Sequence, residues 1–160
     1  TLRAAVSPHL AARRENRVVQ PAEILNRYRE LANRYDYIVA EACGGLVVPL
    51  NDQRYFVYDL ARELNLACLL VARTKIGTIN HTVLTVEFAR RQGIEVRGII
   101  FNGFTRQEYE SDNIKNIEEI TGLATIAVLP AVPAAEDFMA AARRVYEREL
   151  VWSWVRQLWN

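Results

Sequence analysis

The amino-acid sequence predicts a doubly wound α/β fold, a parallel sheet with helices on both faces. Three observations carry that reading. Short apolar runs recur along the chain, stretches of helical apolar spacing lie between them, and the most unusual residues stand just after the runs. In open sheets of this class, ligands collect beyond the carboxyl ends of the strands.

Taken in order, a helix is expected to begin at Pro21, a residue suited to the first helical position. Ile24, Leu25, Tyr28, Leu31 and Ala32 follow at helical spacing. Tyr37-Ile38-Val39-Ala40 reads as a first buried strand, ending at Glu41 and broken by Gly44-Gly45. Residues 56–64 suit a helix, and residues 67–72 a second buried strand. A helix over residues 79–92 should stop at Gly93, a natural C-terminal cap. Residues 96–101 make the third strand, residues 111–121 a helix closed by Gly122, and residues 125–129 the fourth strand. A further helix is expected from Ala134. No repeat, low-complexity stretch or linker interrupts the pattern, so residues 1–160 are expected to form one domain. Within it, residues 145–160 read as a C-terminal aromatic helix. Val151, Trp154, Val155 and Leu158 have helical spacing there, with Trp152 and Trp159 beside them. Such a helix either packs on the sheet or touches another chain.

The bulk properties fit an ordered globule. The chain has 160 residues, of which 51% are apolar, enough to bury a sizeable core. Its 20 basic and 19 acidic side chains leave a net charge of +1, no electrostatic footprint for nucleic acid or an anionic membrane. No apolar run is long enough to span a bilayer. Cys43 and Cys68 form no disulfide framework and lack metal-ligand spacing, so a reduced, cytoplasmic setting is expected.

Each strand end offers a binding reading and a plainer one. Glu41-Ala42-Cys43-Gly44-Gly45 combines a carboxylate suited to Mg²⁺ with glycines that expose N–H groups to phosphate; otherwise it is an ordinary turn with a solvated Glu. At Thr74 to His81, Gly77 and Thr78 precede a helix whose first N–H groups suit an anion, with Lys75 adding charge. The plainer reading makes Thr78 a helix cap and Lys75 a solvated side chain. The Asn102 amide offers the donor and acceptor that an adenine edge needs, yet Asn102-Gly103 is also a strong turn dipeptide.

Together these segments resemble the dethiobiotin synthase family. Ser-Pro-His-Leu-Ala-Ala from Ser7, the stretch from Glu41 to Leu50, T-K-I-G-T-I-N-H-T from Thr74, and Gly98 to Asn102 occur in the family's order and spacing. The resemblance runs to about Pro130 and implies a P-loop NTPase-like fold. It implies a Mg²⁺ and phosphate role for Glu41, nucleotide contacts for Gly44 and Gly45, and adenine recognition by Asn102, with Glu136 covering the adenine from the other side. Lys75, Gly77, Thr78, Ile79 and Asn80 match the loop that receives the substrate carboxylate across a homodimer interface. The implied enzyme is an ATP-dependent ligase of biotin synthesis. It carboxylates 7,8-diaminononanoate with CO₂, phosphorylates the carbamate with MgATP and closes a ureido ring.

The sequence also departs from that family. Its members open with a strand, a G-x-x-x-x-G-K-[ST] phosphate loop and a helix, and these 160 residues contain no such loop. The resemblance is already under way at residue 1, so the chain is expected to be a fragment that lacks the fold's first strands. Ala42-Cys43 replaces the usual Gly-Ala, and Gly103 stands where Asp is frequent. Two alternatives stay open. One is an inactive homologue acting as a binding or partner protein; the other is a related P-loop amide-forming synthase, against which the segment from Lys75 to His81 argues.

Overall fold

The computed structural model describes residues 1–132 and 137–149. The chain gathers into two compact units, Thr1–Leu66 with Gln92–Ile94, and Ala67–Arg91 with Glu95–Asn160. The aromatic positions from Val151 to Trp159 lie outside the described residues.

In the first unit, α1 (Pro8–Arg14) starts on a proline and ends on Arg13 and Arg14, charges that suit the carbonyl end of a helix. Helix α2 (Pro21–Ala32) begins where the sequence predicts, and its apolar face is only half-buried. Helix α3 (Val57–Glu63) opens with the Asp59 carboxylate accepting the Phe56 N–H at 2.9 Å, and it buries Val57 and Ala61. Ahead of it, the buried Asn51 organises a tight loop. Its Oδ1 accepts the Gln53 and Tyr55 N–H groups, both at 3.1 Å, and its Nδ2 donates to the Val19 carbonyl at 3.3 Å.

The strand expected at residues 37–40 does not form. These residues lie outside any strand, with Tyr37 and Val39 69% and 81% exposed. An apolar run becomes a buried strand only when a neighbouring strand takes up its ladder groups, and no strand among the described residues pairs with this one.

The second unit holds the sheet. Strands β1 (Cys68–Arg73), β2 (Val96–Phe104) and β3 (Thr125–Pro130) run parallel in that order, with β2 central. The crossovers are α4 (Thr78–Arg91) and α5 (Glu108–Thr121), as a parallel sheet requires. Ala72, Ile99 and Phe101 of the sheet pack with Ile117 of α5, and Ile79 of α4 joins this core. At the far ends of the two helices, Arg90 Nη2 donates to the Thr121 carbonyl at 2.5 Å. Helix α6 (Phe138–Glu149) packs against β3, and Asp137 Oδ1 accepts the Ala140 N–H at 2.9 Å.

The parallel α/β class is as expected, with three differences in detail. Helix α5 begins three residues before Ser111, because Glu110 accepts the Gln107 N–H at 3.1 Å and anchors an earlier first turn. Strand β1 is buried on one face only. It is an edge strand whose outward Leu69 and Val71 remain exposed. Asn102-Gly103 is not a turn. Both residues lie in β2, where Arg73 and Leu129 flank Asn102 and the register shifts before Phe104. Pairing with β1 reaches Asn102, and pairing with β3 carries the ladder past the dipeptide to Phe104, with a bulge between.

Among the described glycines, Gly98 leaves the least room for a Cβ. A Cβ at that position would stand 2.6 Å from Ile126 Cγ1 and 3.0 Å from the Ala124 carbonyl oxygen. Gly98→Ala is therefore expected to cost about 1–3 kcal/mol, the usual penalty of an overpacked core. Urea unfolding measures it, and adding Ile126→Val should recover part of the loss; a neutral Gly98→Ala would contradict the close packing.

Candidate functional site

The expected ligand residues divide between the two units. Glu41, Gly44 and Gly45 belong to the first, and Lys75, Gly77, Thr78, Ile79, Asn80 and Asn102 to the second. Glu136 lies outside the described residues.

In the first unit Glu41 is exposed in an irregular stretch. The Gly44 N–H donates back to the Ala42 carbonyl at 3.1 Å, so it is not free to meet a phosphate. Gly45 faces open space, with no atom within 4 Å of where a Cβ would stand. A single exposed carboxylate suits Mg²⁺, which keeps several waters and draws its other ligands from substrate phosphates. The described residues hold no group of three His, Cys, Asp or Glu side chains able to make an all-protein cage.

In the second unit, the loop after β1 leads into the first turn of α4. Gly77 sits at φ +92°, a conformation that a side chain would strain, and its carbonyl accepts the His81 N–H at 3.1 Å. The cap position is thus Gly77, and Thr78 is the first helical residue. The buried Thr78 hydroxyl donates to the Arg73 carbonyl at 2.5 Å, which ties the helix start to the end of β1. Thr78 therefore does not cap α4, because its oxygen is turned inward. Ile79 packs its side chain against the core, which leaves only its backbone N–H for a ligand. The Ile79 and Asn80 N–H groups have no carbonyl partner among the described residues, as the first turn of a helix dictates. Lys75, Asn80 and His81 are exposed around them.

Asn102 stands at the carboxyl end of the central strand. Its side chain is exposed and has no hydrogen-bond partner among the described residues. Alternation along β2 sends it to the sheet face opposite Phe101, beside Arg73 in the register.

The sequence reading missed the polar centre of this rim. Glu110 is fully buried, and four donors converge on it. Oε1 accepts the Thr74 hydroxyl at 2.6 Å; Oε2 accepts the Thr105 N–H and hydroxyl, each at 2.8 Å, and the Gln107 N–H. Burial by itself pushes the carboxyl up. The hydrogen bonds from Thr74, Thr105 and Gln107 together outweigh it and hold the group at about 2. One local signal was available: Glu110 stands three residues after Gln107, where a helix accepts its own cap N–H. That spacing does not reveal Thr74, 36 residues away in sequence.

Comparison with known proteins gives a consistent family. Residues 1–140 match the family model described as an AAA domain. The ATP-dependent dethiobiotin synthetase BioD of Anoxybacillus flavithermus is 42% identical over 126 residues, covering 78% of this chain and 57% of that protein. The protein of the same name from Clostridium kluyveri is 39% identical over 150 residues, covering 92% and 62%. That from Caldicellulosiruptor saccharolyticus is 41% identical over 135 residues, covering 82% and 54%. The chain thus spans between about half and two thirds of the length of these curated relatives. Among the described residues, no helix is long and apolar enough to cross a membrane.

Glu110 makes stability pH-dependent in a stated direction. Its carboxyl is depressed from the ordinary 4.5 to about 2, so its contribution is fully present above pH 4.5 and is lost as pH falls toward 2. Glu110→Gln should cost about 1–3 kcal/mol at neutral pH, because an amide nitrogen would face N–H and O–H donors. It should also flatten the acid slope between those two values. Thermal unfolding across that range checks both, and an unchanged slope in the variant would rule out Glu110 as its source.

Proposed function

Because the chain belongs to the dethiobiotin synthase family, within the AAA domain family that it matches, we propose that it serves the ATP-dependent closure of a ureido ring on 7,8-diaminononanoate. In that reaction CO₂ carboxylates one amine and ATP phosphorylates the carbamate. The second amine then displaces phosphate to close the ring. No covalent enzyme intermediate is needed, so the protein contributes position and charge.

The observation that carries the reading is Asn102, an exposed amide without a protein partner among the described residues, at the carboxyl end of the central strand. Its donor and acceptor would meet the adenine edge, and Glu136 would cover the base from the other side. The first turn of α4 would take the substrate carboxylate through the Ile79 and Asn80 N–H groups, with Lys75 adding charge. Gly77 and Thr78 shape that turn. The carboxylate would come from the active site of a second copy, so a homodimer is part of the proposal, as is a cytoplasmic setting. Glu41 would hold Mg²⁺, which supplies charge neutralisation on the phosphates, and Gly44 and Gly45 would leave room for the nucleotide.

These 160 residues contain no G-x-x-x-x-G-K-[ST] loop. The proposal accordingly assigns them the adenine and carboxylate contacts, with phosphate neutralisation supplied from elsewhere.

Two measurements test this. The 160 residues alone, given 7,8-diaminononanoate, bicarbonate and MgATP, should release no phosphate coupled to ring closure; turnover near that of a complete enzyme would show that they supply the missing contacts themselves. In calorimetry, Asn102→Ala should weaken ADP binding by about 1–3 kcal/mol and leave GDP binding nearly unchanged. Equal losses for both bases would remove Asn102 from adenine recognition.

A further inference from the structure

We propose that Glu110 is a positioning residue that holds both ligand loops of the sheet rim, residues 74–77 and residues 102–107, in a single arrangement. The inference rests on the proposed roles of Asn102 and the α4 start, and it deepens that reading by naming what fixes them.

Glu110 itself touches no ligand, since its side chain is fully buried. It acts through two arms. The first reaches Thr74, the last residue before Lys75, Ile76 and Gly77. The Thr74 hydroxyl donates to Glu110 Oε1 at 2.6 Å, while Asn113, one turn further along α5, donates its Nδ2 to the Thr74 carbonyl at 2.9 Å. Helix α5 thus grips Thr74 by both its side chain and its peptide, and Thr74 is completely buried. The second arm reaches Thr105 and Gln107, the segment through which the bulge after Asn102 passes into α5. The arms meet again at Gly103, whose carbonyl lies 3.5 Å from the Thr74 hydroxyl.

Four donors require an acceptor with two oxygens and no proton. A carboxylate provides this, whereas a Gln offers one oxygen and two competing donors. Charge-assisted bonds of this kind are the strong ones, and the N-terminus of α5 adds its own preference for negative charge. The consequence is coupling: neither loop can shift without breaking a bond to the same carboxylate.

Three variants separate the arms. Thr74→Val cuts the first, Thr105→Ala weakens the second, and Glu110→Gln disrupts both. Amide hydrogen exchange in the 160-residue protein is the first readout, with the Ile99 and Phe101 amides of the core strand as internal reference. Glu110→Gln should speed exchange in both loops about tenfold or more beyond any change at the reference amides, the loss expected for a bond to a charged group. Thr74→Val should affect only residues 74–77, and Thr105→Ala only residues 102–107. If Glu110→Gln does not fold, the Thr74→Val/Thr105→Ala double variant should reproduce the two-loop pattern. Loop exchange that speeds up no more than the reference amides do, or that speeds up in one loop only, would overturn the proposal.

ADP binding is the second readout. It should weaken about tenfold in Glu110→Gln and Thr105→Ala but little in Thr74→Val. Equal ADP affinity in wild type and Glu110→Gln would also overturn the proposal. A wild-type protein that binds no ADP would sink the adenine reading of Asn102, and the exchange pattern would still decide whether Glu110 sets the loops.

Discussion

Strand β2 shares ladder hydrogen bonds with β1 on one side and β3 on the other, all parallel, and the polar features of the second unit follow from that pairing. Parallel strands need helical crossovers, so each strand releases the chain at the same rim and each helix starts there. Helix N-termini carry unpaired N–H groups, and strand ends carry residues leaving the ladder. The rim is therefore rich in donors before any side chain is chosen. A carboxylate placed among them meets four hydrogen-bond donors, from Thr74, Thr105 and Gln107. This is why Glu110 stays charged despite burial, through Thr74, Thr105 and Gln107.

The rim separates two kinds of polar group. Thr74, Thr78 and Glu110 are buried, and their bonds are satisfied within the protein. Asn102, Lys75 and Asn80 are exposed on the same rim. The first set fixes backbone, and the second is free to meet a ligand. Gly77 belongs to neither set. Its φ of +92° turns the chain so that the Thr78 hydroxyl faces Arg73 while the next two N–H groups face outward. Interactions fixed beforehand in this way need no rearrangement when a ligand arrives.

Family resemblance and geometry inform about different residues. The motifs that resemble the dethiobiotin synthase family stand at the start of α4, at Asn102, and at the glycines after Glu41. The residues that hold the first two of these in place carry no motif. Glu110 and Asn113 lie on α5, in a stretch whose sequence looks like an ordinary exposed helix, and only the fold turns their face toward Thr74.

The sequence by itself determined the parallel α/β class, the helix starting at Pro21, the cap at Gly122, three of the strands and the family. Each of these depends on local spacing or on a short motif, information that does not require knowing what lies across the fold. Tertiary structure alone decided three further matters. Residues 37–40 have the composition of a strand but no partner strand among the described residues, and pairing is a property of two segments rather than one. Asn102-Gly103 has turn chemistry, yet β1 pairs as far as Asn102 and β3 continues the ladder past Gly103 to Phe104, leaving a bulge. Glu110 would be a solvated helix residue if Thr74 were not folded against it, and what makes it a buried anion is a set of donors drawn from separate strand ends. Local propensity is written in neighbouring residues; the cost of burying a charge depends on which distant groups arrive to meet it.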